Sequence, residues 1–215
     1  ITALLMLCFI VGVLAFTKSK QFMARQAKSF FRQPRGVLSE ITETAQEIRF
    51  QLTLALQSCL LMGLVYFFYV ESRVAQTFTV DQYRVIGLFA LEFLGYIVAK
   101  ALLYQLSGWV FFDPRRSRIW MKSWLFLLVL EGLALYPPVL LQAFFGTGVA
   151  TTLACAGVVI LLAKIMAFYK TRAIFFNYRG GIVQNFLYFC TLELIPIAAL
   201  WGVLTITSNY LKVSF

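Results

Sequence analysis

Residues 85–112 read VIGLFALEFLGYIVAKALLYQLSGWVFF, an apolar stretch that carries only two formal charges, Glu92 and Lys100. The hydrocarbon core of a bilayer is about 30 Å thick, and an α-helix needs about 20 residues to cross it. This stretch is longer than that, so it can span the bilayer with some tilt. It therefore predicts a membrane-spanning helix and places the chain among membrane proteins.

The composition of the whole chain points to the same class. Of its 215 residues, 61% are hydrophobic and 13% are charged, whereas soluble domains average about 45–50% apolar and about 25% charged residues. Such an excess cannot be hidden inside one water-facing domain, and it excludes a disordered chain and a typical soluble enzyme. We therefore expect an all-α polytopic membrane bundle, built as a single domain over residues 1–215.

Five further stretches resemble residues 85–112 in composition, which gives six predicted transmembrane helices. The predicted spans cover residues 1–16, 50–70, 85–112, 119–145, 147–169 and 182–206. The first begins without a methionine or a basic leader, so we interpret it as a truncated span, with residues missing before Ile1, rather than as a signal peptide. Pro137 and Pro138 should kink or stop the fourth helix, because proline lacks a backbone donor and clashes with the preceding turn.

Lysines and arginines alternate in number between the spans. With Lys122, near the start of the fourth span, counted in the connection before it, the connections after spans one to five and the C-terminal tail carry 7, 2, 4, 0, 3 and 1 of them. Cytoplasmic loops hold the excess of such residues in membrane proteins. The alternation therefore predicts that loops 17–49, 113–118 and 170–181 are cytoplasmic and that both termini face the other side.

The connection 17–49 mixes basic residues with aromatic ones such as Phe22 and Phe30, and a break follows at Pro34 and Gly36. This pattern predicts a basic amphipathic helical hairpin on the cytoplasmic face of an anionic leaflet, where each cation contributes about 1 kcal/mol. A hairpin packed beneath the bundle is the alternative. The residues expected to contact lipid headgroups are Lys18, Lys20, Arg25, Lys28, Arg115, Arg116 and Arg118, although the bias of basic residues toward cytoplasmic loops by itself also explains the three arginines after the third span.

Apart from Lys122 at the start of the fourth span, five charged residues fall inside the predicted spans, and they are Glu92, Lys100, Glu131, Lys164 and Glu193. At about 2.5–3.5 kcal/mol each, five unpaired charges would cost roughly 12–17 kcal/mol, which rivals the whole stability of a typical domain, about 5–15 kcal/mol. They must therefore be paired, protonated or hydrated. From their predicted depths, we expect the two lysines to pair with Glu131 and Glu193, which leaves Glu92 unmatched.

Two interpretations of these charges stay open. They form interhelical ion pairs that only hold the bundle together, or they line a polar cavity that admits an ion or a solute. An isolated acid such as Glu92 favours its neutral or hydrogen-bonded form in a bilayer, because burial penalises the charge, and such a group could relay protons. Pro196 cannot donate to the carbonyl of Leu192, which creates a polar break beside Glu193, with a simple proline kink as the alternative.

The last span contains the run Tyr188-Phe189-Cys190-Thr191-Leu192-Glu193-Leu194-Ile195-Pro196, and Asn177-Tyr178-Arg179-Gly180-Gly181 precedes it. This pattern resembles the C-terminal part of a family of bacterial inner-membrane proteins that is catalogued as a domain of unknown function. The resemblance covers most of the chain and implies a helical, multi-span protein of the bacterial inner membrane. It implies no activity, substrate or functional residue.

The residue types that are missing exclude several kinds of chemistry. The chain has no histidine, and its four cysteines are scattered through apolar runs, so we expect no metal site, no haem and no other cofactor. The only aspartates, Asp81 and Asp113, lie in predicted loops, which excludes an intramembrane aspartyl protease. We also find no glycine-rich phosphate loop, and we expect no catalytic residue and no nucleic-acid partner.

Two functions therefore remain open, with a lipid-modifying enzyme that uses Asp113 as a third. The first is a transporter or permease-like protein, and the second is a non-catalytic subunit or scaffold that binds a membrane-protein partner or a second copy of itself. A water-accessible cavity at Glu131 or Glu193 favours the first, and a dry, tightly packed centre favours the second. The residues expected to line an ion or solute pathway are Glu92, Lys100, Glu131, Lys164, Glu193 and Pro196.

Overall fold

The computed structural model contains helices and short turns, and no strand, in the residues that it describes, which are 2–31, 45–74, 82–175 and 181–213. A π-helical turn, Cys190–Leu194, joins the last two helices into one continuous element. The helices are α1 (Thr2–Phe31), α2 (Ala45–Val74), α3 (Gln82–Phe111), α4 (Pro114–Phe145), α5 (Val149–Phe175), α6 (Gly181–Phe189) and α7 (Ile195–Val213).

Five of these elements are long and apolar enough to cross a membrane. They are Ile48–Ser72 of α2, Tyr83–Phe111 of α3, the whole of α4, the whole of α5, and Val183–Tyr210 of α6 and α7. The expected all-α class is therefore confirmed, and the five elements that could cross a membrane coincide with the second to sixth predicted spans. The first predicted span, 1–16, lies in α1, where several side chains are outside the described residues, so a sixth crossing stays a prediction.

The first helix is longer than expected. α1 continues without a break to Phe31, so residues 17–31 extend the first predicted span and do not form a separate helix of a hairpin. The lysines, alanines, glutamines and arginine in this segment are strong helix formers, and nothing in it interrupts the backbone hydrogen bonds. The predicted break at Pro34 and Gly36 lies outside the described residues.

Two other predicted loops are shorter than expected. α4 begins at Pro114, because the fixed φ of proline suits the first helical position, and this reduces the loop 113–118 to a corner at Asp113. α5 continues to Phe175, so Lys170 belongs to a helix and not to the loop 170–181. Both corrections lengthen helices that sequence hydropathy ends at the first charged residue.

Pro137 and Pro138 do not stop α4, which runs through them to Phe145. Leu135 and Val139, on either side of the pair, are completely buried, and this packing keeps the segment helical. In membrane proteins the backbone groups that proline frees are commonly satisfied by neighbouring groups. The helix ends where Gly146 adopts a left-handed backbone with φ of 60° and donates its N–H to the carbonyl of Gln142, a conformation that glycine tolerates at a helix C-terminus.

The core of the bundle lies around α2 and α4, which pack against each other and against α1, α3 and α5. One apolar cluster surrounds Trp120 and Trp124, and a second surrounds Leu64 and Phe67. By contrast, α5 and α7 expose long rows of apolar side chains, including Leu161. A helix that is apolar on its outer face is what a surface covered by acyl chains requires.

Several described helix ends meet at one end of the bundle. The Lys170 ammonium donates to the carbonyl of Phe30 at 2.6 Å, which joins the end of α5 to the end of α1. The ring of Phe112 lies 4.1 Å from that of Phe175 and 5.6 Å from that of Tyr188, measured between centroids. The end of α1, the corner between α3 and α4, the end of α5 and the α6 residue Tyr188 therefore lie at one end of the bundle.

Candidate functional site

Three of the five charged residues meet at the π-helical turn. The Glu193 Oε2 accepts a hydrogen bond from the Lys100 Nζ of α3 at 2.5 Å and lies 2.9 Å from the Lys164 Nζ of α5. The Tyr104 hydroxyl donates to the other oxygen of the same carboxylate. The side chains of Lys100 and Glu193 are 2% and 3% exposed, so one buried carboxylate is held between two ammonium groups and a phenol.

The π-helical turn positions Glu193 between α3 and α5. The N–H of Ile195 donates to the carbonyl of Cys190, five residues earlier, so the turn holds one more residue than an α-helical turn would. Such insertions re-aim side chains and occur often at functional sites. The predicted polar break therefore takes the form of a π-helical turn. Pro196 is the second residue after the turn and does not line the cavity described below, whereas the next residue, Ile197, does.

A partly open cavity of about 120 Å³ lies beside this ion pair. A water needs about 10–15 Å³ of such volume, so the cavity can hold several waters or one small solute. Its walls include α5 and α7, which have few contacts with each other. The polar side chains that line it are Tyr96, Lys100, Glu131, Lys164 and Glu193, among apolar ones that include Trp124 and Leu127.

Glu131 lines this cavity from the middle of α4 and is 7% exposed. Its carboxylate makes no hydrogen bond and no ion pair with any residue that the structure describes. The expected pairing of one lysine with each carboxylate is therefore not what the structure shows, because both lysines contact Glu193. The π-helical turn is the reason, since it brings Glu193 within reach of α3 and α5 together.

Glu92 lies outside the cavity, two helical turns before Lys100 on α3. Its Oε1 accepts a hydrogen bond from the Thr207 hydroxyl of α7 at 2.5 Å. Its Oε2 is buried and has no hydrogen-bond partner among the described residues. The structure thus separates Glu92 from the four other membrane-embedded charges and joins α3 to α7 at this point.

The residues expected to contact lipid headgroups take no part in the cavity. Arg115, Arg116 and Arg118 are exposed on the first turns of α4, and Arg25 and Lys28 are exposed on α1. The side chains of Lys18 and Lys20 lie outside the described residues. Lipid contact by these seven residues therefore stays a prediction.

Three residues of this region are absent from the sequence prediction. Tyr96 lines the cavity, Tyr104 contacts Glu193, and Lys170 is buried with its Nζ 4.7 Å from the ring centroid of Phe30. The sequence could have indicated the two tyrosines, because they lie four residues before and after Lys100, and residues four apart share a helix face. Lys170 had none, since a basic residue at the end of an apolar run usually marks a loop.

The part of the chain that the structure describes holds no group of three Cys, Asp or Glu side chains close enough to bind a metal ion. The family with the description "Domain of unknown function (DUF4271)" matches residues 1–204. No curated protein and no solved structure matches the chain. The family description names no activity, and the function has to be argued from the cavity and its charges.

Proposed function

Because the chain belongs to the DUF4271 family, whose description assigns no activity, we propose its function from the cavity: it is a permease-like membrane protein that carries a small anion together with a proton. The single observation that supports this proposal is Glu131, which lines the cavity and makes no hydrogen bond or ion pair with a described residue, while Lys100 and Lys164 share Glu193. Ion pairs that served only to hold helices together would give each carboxylate a cation of its own.

The charge balance of the cavity links the proton to the anion. With Glu131 ionised, its carboxylate and that of Glu193 balance the two lysines. With Glu131 protonated, two ammonium groups face one carboxylate, and the cavity has an excess positive charge. The excess attracts an anionic group to Lys164, whose side chain is 21% exposed, whereas that of Lys100 is closed off. A membrane-embedded acid that protonates in step with ligand binding is a common element of proton-driven carriers.

The proposed setting of the protein is a bacterial inner membrane, with the end of the bundle that holds Phe30, the Asp113 corner and Lys170 on the cytoplasmic side. An excess of lysine and arginine marks cytoplasmic loops, and exposed arginines at the start of α4 suit the anionic headgroups of that leaflet. In this setting the cavity lies at the depth of the hydrocarbon core, where a charged solute cannot cross without a binding site.

The test is anion-driven proton uptake into proteoliposomes that contain a trapped pH dye. Chloride, nitrate or inorganic phosphate is added outside, and interior acidification is recorded. We expect acidification with at least one of these anions in the wild-type protein and none with Glu131→Gln, which mimics the protonated acid and cannot carry a proton. Lys164→Gln should lose the anion response too.

The control for these variants is Glu71→Gln, because Glu71 is exposed near the end of α2 and does not line the cavity. It should leave acidification unchanged. Acidification that survives both Glu131→Gln and Lys164→Gln, or its absence for all three anions in wild-type proteoliposomes, would show that the cavity does not couple a proton to an anion.

A non-catalytic subunit or scaffold is the second candidate. The exposed apolar faces of α5 and α7 favour it, yet acyl chains cover such faces equally well. Affinity purification in mild detergent separates the two functions, since a stoichiometric membrane partner supports the subunit. A lipid-modifying enzyme has no such support, because Asp113 is exposed at the corner before α4, away from the cavity.

A further inference from the structure

The cavity beside the ion pair is charged in one part and apolar over most of its lining. Eleven of the sixteen described residues that line it are apolar. Its charged groups are the three of the ion pair, Lys100, Lys164 and Glu193, together with Glu131. A ligand that complements this lining carries a charge at one end and an apolar surface over the rest.

The apolar lining of α3, α5 and α7 extends from the ion pair in one direction. α3 and α5 run toward the end of the bundle that holds Lys170, and α7 runs away from it. The lining residues on the far side of the ion pair therefore precede Lys100 and Lys164 and follow Glu193 in the chain. Apart from Tyr96 they are apolar, and they are Phe93, Ile97, Ile160, Ala163, Ile197 and Leu200. Phe93 and Leu200 are two helical turns from the ion pair, which is about 10 Å.

The volume of the cavity limits the size of this ligand. The cavity measures about 120 Å³, and at 10–15 Å³ for each water-sized group it holds on the order of eight such groups. A carboxylate with a short alkyl chain, up to about the size of hexanoate, fits within this volume. A full acyl chain of a membrane lipid does not.

Lys164 is the group that can receive the charged end of the ligand. Its side chain is 21% exposed, whereas the side chains of Lys100 and Glu193 are 2% and 3% exposed. When Glu131 is protonated, the single charge of a carboxylate restores neutrality, and only its two oxygens need donors. Phosphate has oxygens on every side, and those that face the apolar lining would be buried without a donor, which is destabilising.

We propose that the ligand of the cavity is a monocarboxylate with a short alkyl chain, whose carboxylate binds Lys164 and whose chain lies along Ile160, Ile197 and Leu200. The inference rests on the proposed function, since it names the class of anion that is carried together with the proton. Chloride and nitrate fit the position of the carboxylate but leave the apolar part of the cavity to water, so they bind more weakly.

Competition binding tests this ligand class without a transport step. The purified protein in detergent binds radiolabelled butanoate at neutral pH, and unlabelled acetate, butanoate, pentanoate or hexanoate displaces it. We expect half-maximal displacement at about a fourfold lower concentration for each added CH₂ group, which is the gain from burying that group. Chloride and nitrate should displace butanoate no better than acetate does. Displacement that does not depend on chain length would overturn the proposal.

Ligands and variants that change only the charge test the role of Lys164. Butylammonium and butanol have the chain of butanoate without its negative charge, and neither should displace it at the concentration at which pentanoate does. Lys164→Gln should lose butanoate binding, and Arg172→Gln, at an exposed position of the same helix, should retain it. Displacement by butanol as effective as that by butanoate, or full binding to Lys164→Gln, would show that the charge is not recognised.

A pair of adjacent residues on α5 tests where the alkyl chain lies. Ile160 lines the cavity, whereas Leu161 is 61% exposed and does not. Ile160→Phe should raise the concentration of hexanoate needed for displacement by about fifteenfold, the value of two buried CH₂ groups, and leave that of acetate unchanged. Leu161→Phe should change neither, and melting temperatures in detergent establish that both variants are folded. The same loss of hexanoate binding in both variants, or in neither, would contradict the proposed position of the chain.

The outcomes separate this inference from the proposed function. If inorganic anions drive proton uptake that requires Glu131, while displacement of butanoate does not depend on chain length, the ligand class is wrong and the proposed function stands. If displacement follows chain length and requires Lys164, while wild-type proteoliposomes acidify with none of the three anions, the ligand class stands and the proposed function fails. Chain-length dependence together with proton uptake supports both.

Discussion

Glu193 and Glu131 are both glutamates, but their carboxylates have different surroundings. Glu193 accepts from Lys100 and Tyr104 and contacts Lys164, whereas Glu131 has no hydrogen bond or ion pair among the described residues. The two carboxylates line one cavity, so their variants share the same surroundings. This makes them a natural pair for separating the structural and functional uses of a buried charge.

Glu193→Gln should lower the free energy of unfolding by about 3–5 kcal/mol, because it leaves the buried Lys100 ammonium without a counter-charge. Glu131→Gln should lower it much less, because that carboxylate pairs with nothing in the described structure. Denaturant unfolding in detergent, followed by tryptophan fluorescence, measures both. Equal losses of stability in the two variants would mean that Glu131 also belongs to the ion pair.

Tyr104→Phe should cost about 1.5–3 kcal/mol, the range for a hydrogen bond to a charged group. The variant keeps the ring, which packs edge-on against Trp120 and Trp124, and removes only the donor to Glu193. The same unfolding measurement checks it. Tyr169→Phe is the control, because Tyr169 is exposed on α5. A stability equal to that of the control would show that the hydroxyl contributes nothing to the ion pair.

Sequence reasoning located these residues better than it paired them. The cost of a charge in hydrocarbon singles out Glu131, Lys164 and Glu193 without any structure. Their pairing depends on how each helix is rotated about its axis, and the π-helical turn that contains Glu193 changes that rotation. No pattern of apolar residues encodes one extra residue in a turn, so the shared contact of two lysines with Glu193 could not be predicted.

Close helix packing depends on Gly63, where α2 approaches the backbone of α3. A Cβ at this position would lie 2.9 Å from the Ala90 nitrogen, whereas a Cβ at Gly95 would meet nothing within 4 Å. Gly63→Ala should therefore destabilise the protein by about 1–3 kcal/mol, the usual cost of overpacking, because a backbone cannot move aside as a flexible side chain can. Gly95→Ala should leave the thermal midpoint unchanged or raise it, and the reverse order would refute this packing.

The end of α1 is held by Lys170. The last carbonyls of a helix lack intrahelical partners, and the Lys170 ammonium donates to that of Phe30. Lys170→Met keeps the apolar stem and removes the donor, so we expect faster amide hydrogen exchange in residues 23–31 by mass spectrometry. Arg172→Met, at an exposed position of the same helix, should leave this exchange unchanged. Equal rates in wild type and Lys170→Met would show that the contact does not hold α1.

At the scale of elements, hydropathy predicted which segments are helices and failed at their ends. The five spanning elements are found where apolar runs predicted them. Helix limits extend past the expected ends: α1 continues beyond Lys18, α4 begins before Arg115 and α5 continues beyond Lys170, because backbone hydrogen bonds continue into polar surroundings wherever helix propensity allows. The thickness of the membrane sets the length of the apolar run, but the helix that contains this run can extend beyond it at either end.

The whole molecule consists of an apolar bundle with charges at its centre and acyl-chain-facing helices at its edge. α5 shows both properties, since Ala163 and Lys164 line the cavity while the neighbouring Leu162 is exposed on the outer surface. On α5, one side therefore faces the cavity and the other side faces outward, where we expect acyl chains. A reagent that reacts only in water can tell these two surfaces apart.

Labelling of single cysteines in proteoliposomes by a membrane-impermeant maleimide, in a variant without the four native cysteines, measures this directly. Ala163→Cys should be labelled, because it faces a cavity that admits water. Leu162→Cys, one residue away, should resist labelling, because thiols react as thiolates and acyl chains suppress ionisation. Labelling of Leu162→Cys together with a silent Ala163→Cys would mean that the charged centre is dry and that no solute can reach Glu131.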